Sequence, residues 1–303
     1  MRKPLKRLIE ATLVNSGVCR LGRRLRAGDL LILAFHNVVP DHSPSVGDRS
    51  LHLARSRFVA FIDHLREAHE IVPLPGALQP TATDRSNGRP RVAITFDDAY
   101  RGAVNIGVAE LAARGLPATV FVSPAFVDDH AFWWDSYAGQ LDGQAFEALR
   151  ARALDEFRGE DARVRAWAAS RRLEEARLPD HSRTATVEEI RCASAHEGIT
   201  LGSHTWSHPN LARLERGEVL KELVEPVAWL RDRFDAVIPW LAYPYGIQSE
   251  DAIAVVEQAG YDAALLVAGG WLSKTAASRY ALPRFNVPAS LSVRGFQLRV
   301  SGL

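Results

Sequence analysis

Short apolar runs that end in polar residues, separated by helical pattern, set the strongest limit on how this chain folds. The runs occupy residues 29–35, 91–95, 118–123, 199–203, 238–243, 262–267 and 282–287. Helical periodicity lies between them, most clearly at 58–72 and 102–114, and a loop rich in Pro, Gly, Thr and Ser covers 73–90. Apolar runs of this length bounded by turn residues read as buried strands. Strands that alternate with helices build a parallel sheet through crossover connections. About seven such units predict an α/β fold that closes as a distorted or incomplete (β/α) barrel.

At 303 residues the chain has room for one barrel and an insertion. The insertion is expected at about 128–196, which opens with Asp-Asp-His-Ala-Phe-Trp-Trp-Asp and continues as charged, Ala-rich and Arg-rich helical sequence without a tandem repeat. The remainder of 29–303 is then the barrel domain. With 47% hydrophobic and 24% charged residues the composition is that of a folded globular chain. A formal net charge of +1 offers no field to recruit nucleic acid.

Residues 1–28 are different. They carry Arg2, Lys3, Lys6, Arg7, Arg20, Arg23, Arg24 and Arg26 against the single acid Glu10, with Leu5, Leu8, Ile9, Leu13 and Leu21 interspersed. Such a basic amphipathic segment is either a solvated helix packed beside the barrel, the plainer reading, or a peripheral contact with an anionic membrane surface. The apolar run at 11–14 is broken by Asn15 and Ser16 before it reaches the length of a secretory h-region, and no stretch approaches the ~20 apolar residues of a membrane span. Two cysteines, Cys19 and Cys192, allow neither a disulfide framework nor a Cys-x-x-Cys site. The expected location is cytoplasmic, with the inner face of the membrane as the peripheral alternative.

Metal-competent residues fall just past the strand ends: His36 after the first, Asp97 and Asp98 after the second, His204 after the fourth. In a parallel α/β barrel such positions converge on the C-terminal face, where active sites are built. Two adjacent carboxylates in a partly buried mouth repel unless a cation or hydrogen bonds compensate. His204 and His208 are spaced H-x3-H, which on one turn of helix would aim both imidazoles the same way. Taken singly, an Asp-Asp pair is more often a turn and an H-x3-H pair more often a surface feature. Together, after strands, they point to an open divalent-metal site, with zinc the leading candidate. No phosphate-binding Gly loop and no Gly-x-Ser-x-Gly elbow occurs, which disfavours nucleotide and serine-nucleophile chemistry.

The motif Thr95-Phe96-Asp97-Asp98, followed by Ser203-His204-Thr205-Trp206-Ser207-His208-Pro209, resembles the polysaccharide deacetylase (NodB-homology) family, carbohydrate esterase family 4. Leu116-Pro117-Ala118-Thr119-Val120-Phe121-Val122 and Tyr243-Pro244-Tyr245-Gly246 support the likeness. The resemblance implies a TIM-like barrel. It also implies Asp97 as general base and Asp98, His204 and His208 as ligands of a divalent metal, Zn2+ first. Three departures stand out. The arginine that many members carry two residues before the proline of the Tyr-Gly motif is Ala242 here, and Arg284 is the proposed substitute, with a surface arginine the alternative. A late Leu-x-His element is missing, since His208 is the last histidine, and His36 is the candidate general acid. No Asp-x-x-Asp-Trp-like element follows the Tyr-Gly motif, where the nearest aromatic is Trp271. Trp133 and Trp134 either wall the site instead or anchor the insertion.

The implied function is metal-dependent hydrolysis of an N-linked acetyl group on an amino sugar of a glycan, an amide but not a peptide bond. Asp97 would take the proton of the attacking water and His36 would protonate the leaving amine. A backbone N–H, with Tyr245 the candidate, would hold the developing oxyanion. Glycosidic cleavage is not expected, because no pair of flanking carboxylates is present. The alternatives are deformylation or deacylation of a lipid-linked sugar, and a glycan-binding protein with impaired catalysis.

Overall fold

A computed structural model of the protein describes residues 3–44, 46–79, 89–272 and 278–303. Much of the loop expected at 73–90 therefore lies outside the described residues. Seven parallel strands form the barrel: β1 (Leu30–Phe35), β2 (Arg91–Phe96), β3 (Ala118–Val122), β4 (Ile199–Ser203), β5 (Val237–Ala242), β6 (Ala263–Gly269) and β7 (Leu282–Asn286). Each pairs with its sequence neighbours, and β7 returns to pair with β1. All seven predicted strands are present, and the barrel is closed rather than open.

The strands alternate as a period of two requires. Along β1, Leu30 and Ile32 join Ala93, Phe121, Trp240 and Leu265 in a core inside the barrel. Leu31, Leu33 and Phe35 join a larger core beneath the surrounding helices. Burial on both faces is what a parallel barrel strand demands, and it explains why β1 reads as an unbroken apolar run. Short strands supplement the ring, Glu70–Ile71 on β2 and Trp271–Leu272 antiparallel on β1. The expected helix at 58–72 is realised as Arg55–Ala68, its end taken by the Glu70–Ile71 strand.

Between β3 and β4 the chain forms helices Trp133–Tyr137, Gly143–Asp155 and Asp161–Ser170, then Val187–Ser194. The last begins with a capping box between Thr186 and Glu189 and leads directly into β4. At the chain start, α1 (Lys3–Asn15) and α2 (Val18–Leu25) pack near the C-terminal helix Val293–Arg299. No helix among the described residues is long and apolar enough to cross a membrane.

One glycine sets the position of the site. Gly202 in β4 faces Phe121, and a Cβ there would lie 2.5 Å from the ring and 3.1 Å from the Trp240 carbonyl oxygen. Only a missing side chain lets Phe121 fill the barrel directly below Ser203 and His204. Gly202→Ala is expected to overpack this layer and to cost about 1–3 kcal/mol, a fall in Tm on the order of 2–10 °C by calorimetry.

Candidate active site

β2 continues its ladder by one residue, since the Asp97 N–H donates to the Phe35 carbonyl at 2.9 Å. The backbone then turns sharply through Asp98 (φ 71) and Ala99 (φ 48). Two successive left-handed residues are costly for non-glycines, so the surroundings must impose them. Their effect is to send neighbouring carboxylates to different partners.

Asp97 meets Arg284. The guanidinium donates from Nη1 to Oδ1 and from Nη2 to Oδ2, both at 2.7 Å, while Nε donates to the Leu266 carbonyl at 2.6 Å and Nη1 also to Thr95 Oγ1 at 3.1 Å. Arg284 is fully enclosed at 0% exposure and Asp97 is buried. Because β1 lies between β2 and β7, the side chain reaches Asp97 across the barrel interior, where its guanidinium sits 5.8 Å from the centre of the Phe121 ring. Burial pushes the Asp97 carboxyl up, but the Arg284 charge, then His204, and the two-point hydrogen bond outweigh it and hold it below the usual carboxylate range.

Asp98 meets the two histidines. His204 Nε2 and His208 Nε2 lie 3.4 and 3.3 Å from the same oxygen, Asp98 Oδ1. Their rings stand 4.7 Å apart at 75°. Burial works against the Asp98 carboxylate, and the approach of both imidazoles more than offsets it, keeping the group ionised. The histidines do not lie on a turn of helix, as their spacing suggested. They occupy an extended loop with left-handed residues at Thr205 (φ 64) and His208 (φ 58). The N–H groups that a helix would use are taken by side chains: Ser207 N–H donates to Glu222 at 2.8 Å and His208 N–H to Thr205 Oγ1 at 3.1 Å. Such local bonds compete successfully with helix formation.

The donor chemistry fits a divalent cation. His204 Nδ1 donates to the Ala242 carbonyl at 2.7 Å, which leaves the Nε2 lone pair facing Asp98 Oδ1. That oxygen accepts no hydrogen bond although it is buried. Asp98, His204 and His208 thus present three buried ligand atoms within 4.8 Å of one another. Lone pairs converging in this way repel unless a positive charge lies among them, and two nitrogens with one oxygen suit zinc and similar ions. Burial disfavours an imidazolium at His204, but Asp98 and Asp97 reverse the balance and its pKa is raised. For His208, burial and the His204 charge prevail and the pKa is lowered.

The remaining expected residues gather around this centre. His36, half-buried just past β1, and Tyr245 line the same cavity as Asp97, Asp98, His204 and His208, a space of ≈ 160 Å³ that holds far more than one water. Tyr245 is left-handed (φ 58), its ring packs edge-on against His208 at 4.7 Å, and its hydroxyl donates to the Gly159 carbonyl at 3.1 Å. That bond commits its phenol to the inserted helices.

Trp133 and Trp134 do both things weighed for them. They line the cavity, and they tie the inserted helices to the barrel. Trp134 stacks on Phe132 at 4.4 Å, packs 5.0 Å from the His208 ring and donates from Nε1 to Tyr100 Oη at 2.8 Å. Next to it, Asp135 is a partner that sequence reasoning missed. Its fully buried carboxylate accepts from Tyr100 Oη, from His52 Nε2 at 2.9 Å and from the Asp48 N–H at 2.7 Å. Asn37 Nδ2, committed to the His181 carbonyl at 2.9 Å, also reaches His52 Nδ1 at 3.0 Å, so His52 accepts there and donates to Asp135. At the cavity edge, Arg150 of the insertion pairs with Asp48 at 2.9 Å. An acid beside three aromatics hints at a buried pairing, but partners 35 and 83 residues away carry no local signal.

The sequence matches the polysaccharide deacetylase family model over residues 84–264, a span that includes Asp97, Asp98, His204, His208 and Tyr245 and excludes His36 and Arg284. None of the curated proteins matches it in sequence. The structure is similar to IcaB from Ammonifex degensii (TM-score 0.63, 16% identity, 90% of this chain and 97% of that one). It is also similar to the Streptococcus pyogenes deacetylase PplD in complex with acetate (TM-score 0.61, 13% identity, 90% and 98% covered). A de-N-acetylase from Aggregatibacter actinomycetemcomitans is similar to a like degree (TM-score 0.59, 14% identity, 87% and 97% covered). At such low identity these likenesses speak for the fold. The family match covers more than half of the chain and contains both the paired acids and the paired histidines, and the protein belongs to the polysaccharide deacetylase family, the NodB-homology group of carbohydrate esterase family 4.

Proposed function

We propose that the protein is a metal-dependent hydrolase that removes an N-linked acetyl group from an amino sugar of a poly- or oligosaccharide, with Zn2+ the favoured ion. The observation that carries this reading is the division of labour between neighbours: Asp97 clamped by Arg284, Asp98 facing two histidines. A closed structural site would have no use for the first half. A glycan-binding protein that had lost catalysis needs no carboxylate held ionised beside the three ligand residues, whereas a general base does.

A cation held by Asp98, His204 and His208 supplies Lewis acidity and lowers the pKa of water. The chain does the rest. Asp97, kept ionised by Arg284, retains a second lone pair on each oxygen and accepts the proton of the attacking water. Oxygen bonds to the acyl carbon, the Tyr245 backbone N–H offers a hydrogen bond to the developing oxyanion, and the carbon–nitrogen bond breaks as His36 protonates the amine. The products are acetate and a free amino sugar. Trp133, Trp134 and Tyr245 exclude bulk water from this sequence and offer faces to the sugar ring.

Each of these roles carries an expected result. His204→Ala and His208→Ala lose the metal by elemental analysis while Asp97→Asn keeps it. Occupancy falls as pH falls, because the proton favoured on His204 in the metal-free site competes with the ion; undiminished metal in both variants would remove the ligand set. Asp97→Asn lowers acetate release from N-acetylated oligosaccharides by about 10²–10⁴-fold. In Arg284→Lys the Asp97 carboxyl loses its two-point clamp and its pKa rises, so the acid limb of the pH–rate profile moves to higher pH; an unmoved limb would separate Arg284 from the base. His36→Ala keeps its metal and loses turnover, whereas loss of both would make His36 a ligand or a structural residue.

A further inference from the structure

We propose that α1 and α2 form a docking surface for an anionic lipid bilayer. Among the described residues the large apolar side chains most exposed to solvent concentrate here: Leu5, Leu8, Ile9 and Leu13 on α1, Leu21 and Leu25 on α2, with Leu8 at 64% and Leu25 at 77% exposure. Elsewhere only Leu220, Val224 and Leu303 are comparable. The α1 residues recur at i, i+3, i+4 and i+8, one stripe of an α-helix, and Leu21 and Leu25 recur at i and i+4. An amphipathic helix on a globular domain ordinarily turns such a stripe inward. Here the stripe is turned away from the barrel.

The opposite face of the pair is already used, so the stripe has no route inward. Glu10 is buried and accepts from Ser292 Oγ at 2.6 Å. Cys19 and Gly22 are buried, and a Cβ on Gly22 would strike the Ser301 carbonyl at 2.2 Å. The outward apolar residues are therefore presented on a fixed support.

Charge selects the occupant. Lys6, Arg7, Arg20 and Arg24 are exposed on the same two helices, while Glu10, the one acid of the pair, faces inward. Leucines flanked by cations and free of outward acids match the interface of an anionic bilayer. There the apolar side chains enter the acyl boundary and the long basic side chains reach up to the headgroups. A second copy of the chain fits less well, because pairing these helices with themselves would bring two clusters of exposed cations together with no exposed acid of α1 or α2 to offset them.

The test is co-sedimentation of the full chain with vesicles of phosphatidylcholine alone and of equal parts phosphatidylcholine and phosphatidylglycerol. The wild type is expected to bind the mixed vesicles at least about tenfold more strongly, with the preference fading as salt is raised. The double variant Leu8→Asp/Leu13→Asp loses this binding, and Arg7→Gln/Arg20→Gln/Arg24→Gln loses the preference for phosphatidylglycerol. Both should keep the wild-type Tm and turnover on a soluble oligosaccharide, since none of these side chains is buried. Absence of wild-type binding, equal binding to both vesicles, or undiminished binding by the leucine variant overturns the proposal. So does a dimer in sedimentation velocity that Leu8→Asp/Leu13→Asp dissociates while the wild type ignores vesicles.

Discussion

The ion pair between Arg284 and Asp97 is the constraint to which the rest of the site answers. Both groups are buried, and removing either partner would leave an uncompensated charge at a cost of about 3–5 kcal/mol. The pair exists only because the barrel closes. Arg284 rises from β7 and Asp97 follows β2, so β1 must lie between them in register and the space inside the ring must be wide enough for a guanidinium. Phe121 supports that guanidinium from β3, and Gly202 on β4 makes room for Phe121. Five strands are thereby coupled to one carboxylate.

The left-handed turn at Asp98 and Ala99 converts this constraint into chemistry. Adjacent carboxylates on an ordinary strand would point to opposite faces, but past the strand end both must stay at the barrel mouth. The turn sends Asp97 down to a permanent cation and Asp98 up to a pair of imidazoles. A fixed positive charge below and an ion-seeking cluster above let two acids share a small volume in ionised form. The Ala242 position illustrates the same economy. It bears no arginine, yet its carbonyl sets the tautomer of His204.

The inserted helices complete the mouth through a second buried carboxylate. Asp135 gathers donors from Tyr100, His52 and Asp48, so the aromatic pair beside it is held by hydrogen bonds as well as by packing. Trp134 can then serve as a rigid wall against His208, and Arg150 meets Asp48 across the opening. Side chains locked by satisfied polar partners hold geometry better than side chains held by apolar contact alone.

Much of this was readable in the order of residues. Strand positions follow from apolar runs, and the convergence of His36, Asp97, Asp98 and His204 follows from the rule that a parallel barrel collects its strand ends at one face. Arg284 is recognisable as a candidate only by the arginine's absence at Ala242. What the order of residues cannot contain is distance between remote segments. The spacing of His204 and His208 suits a turn of helix, yet the chain is extended there, because side chains of Glu222 and Thr205 take its N–H groups. Asp135 went unnoticed because its partners are distributed over three other segments. The outward turn of the leucines in α1 was equally invisible, since periodicity defines a face without saying which way it points. Local pattern determined the strands, their ends and the chemical types at the mouth. Tertiary packing decided which of those groups touch, because hydrogen bonds and buried charges depend on separations of a few ångströms that only the closed barrel sets.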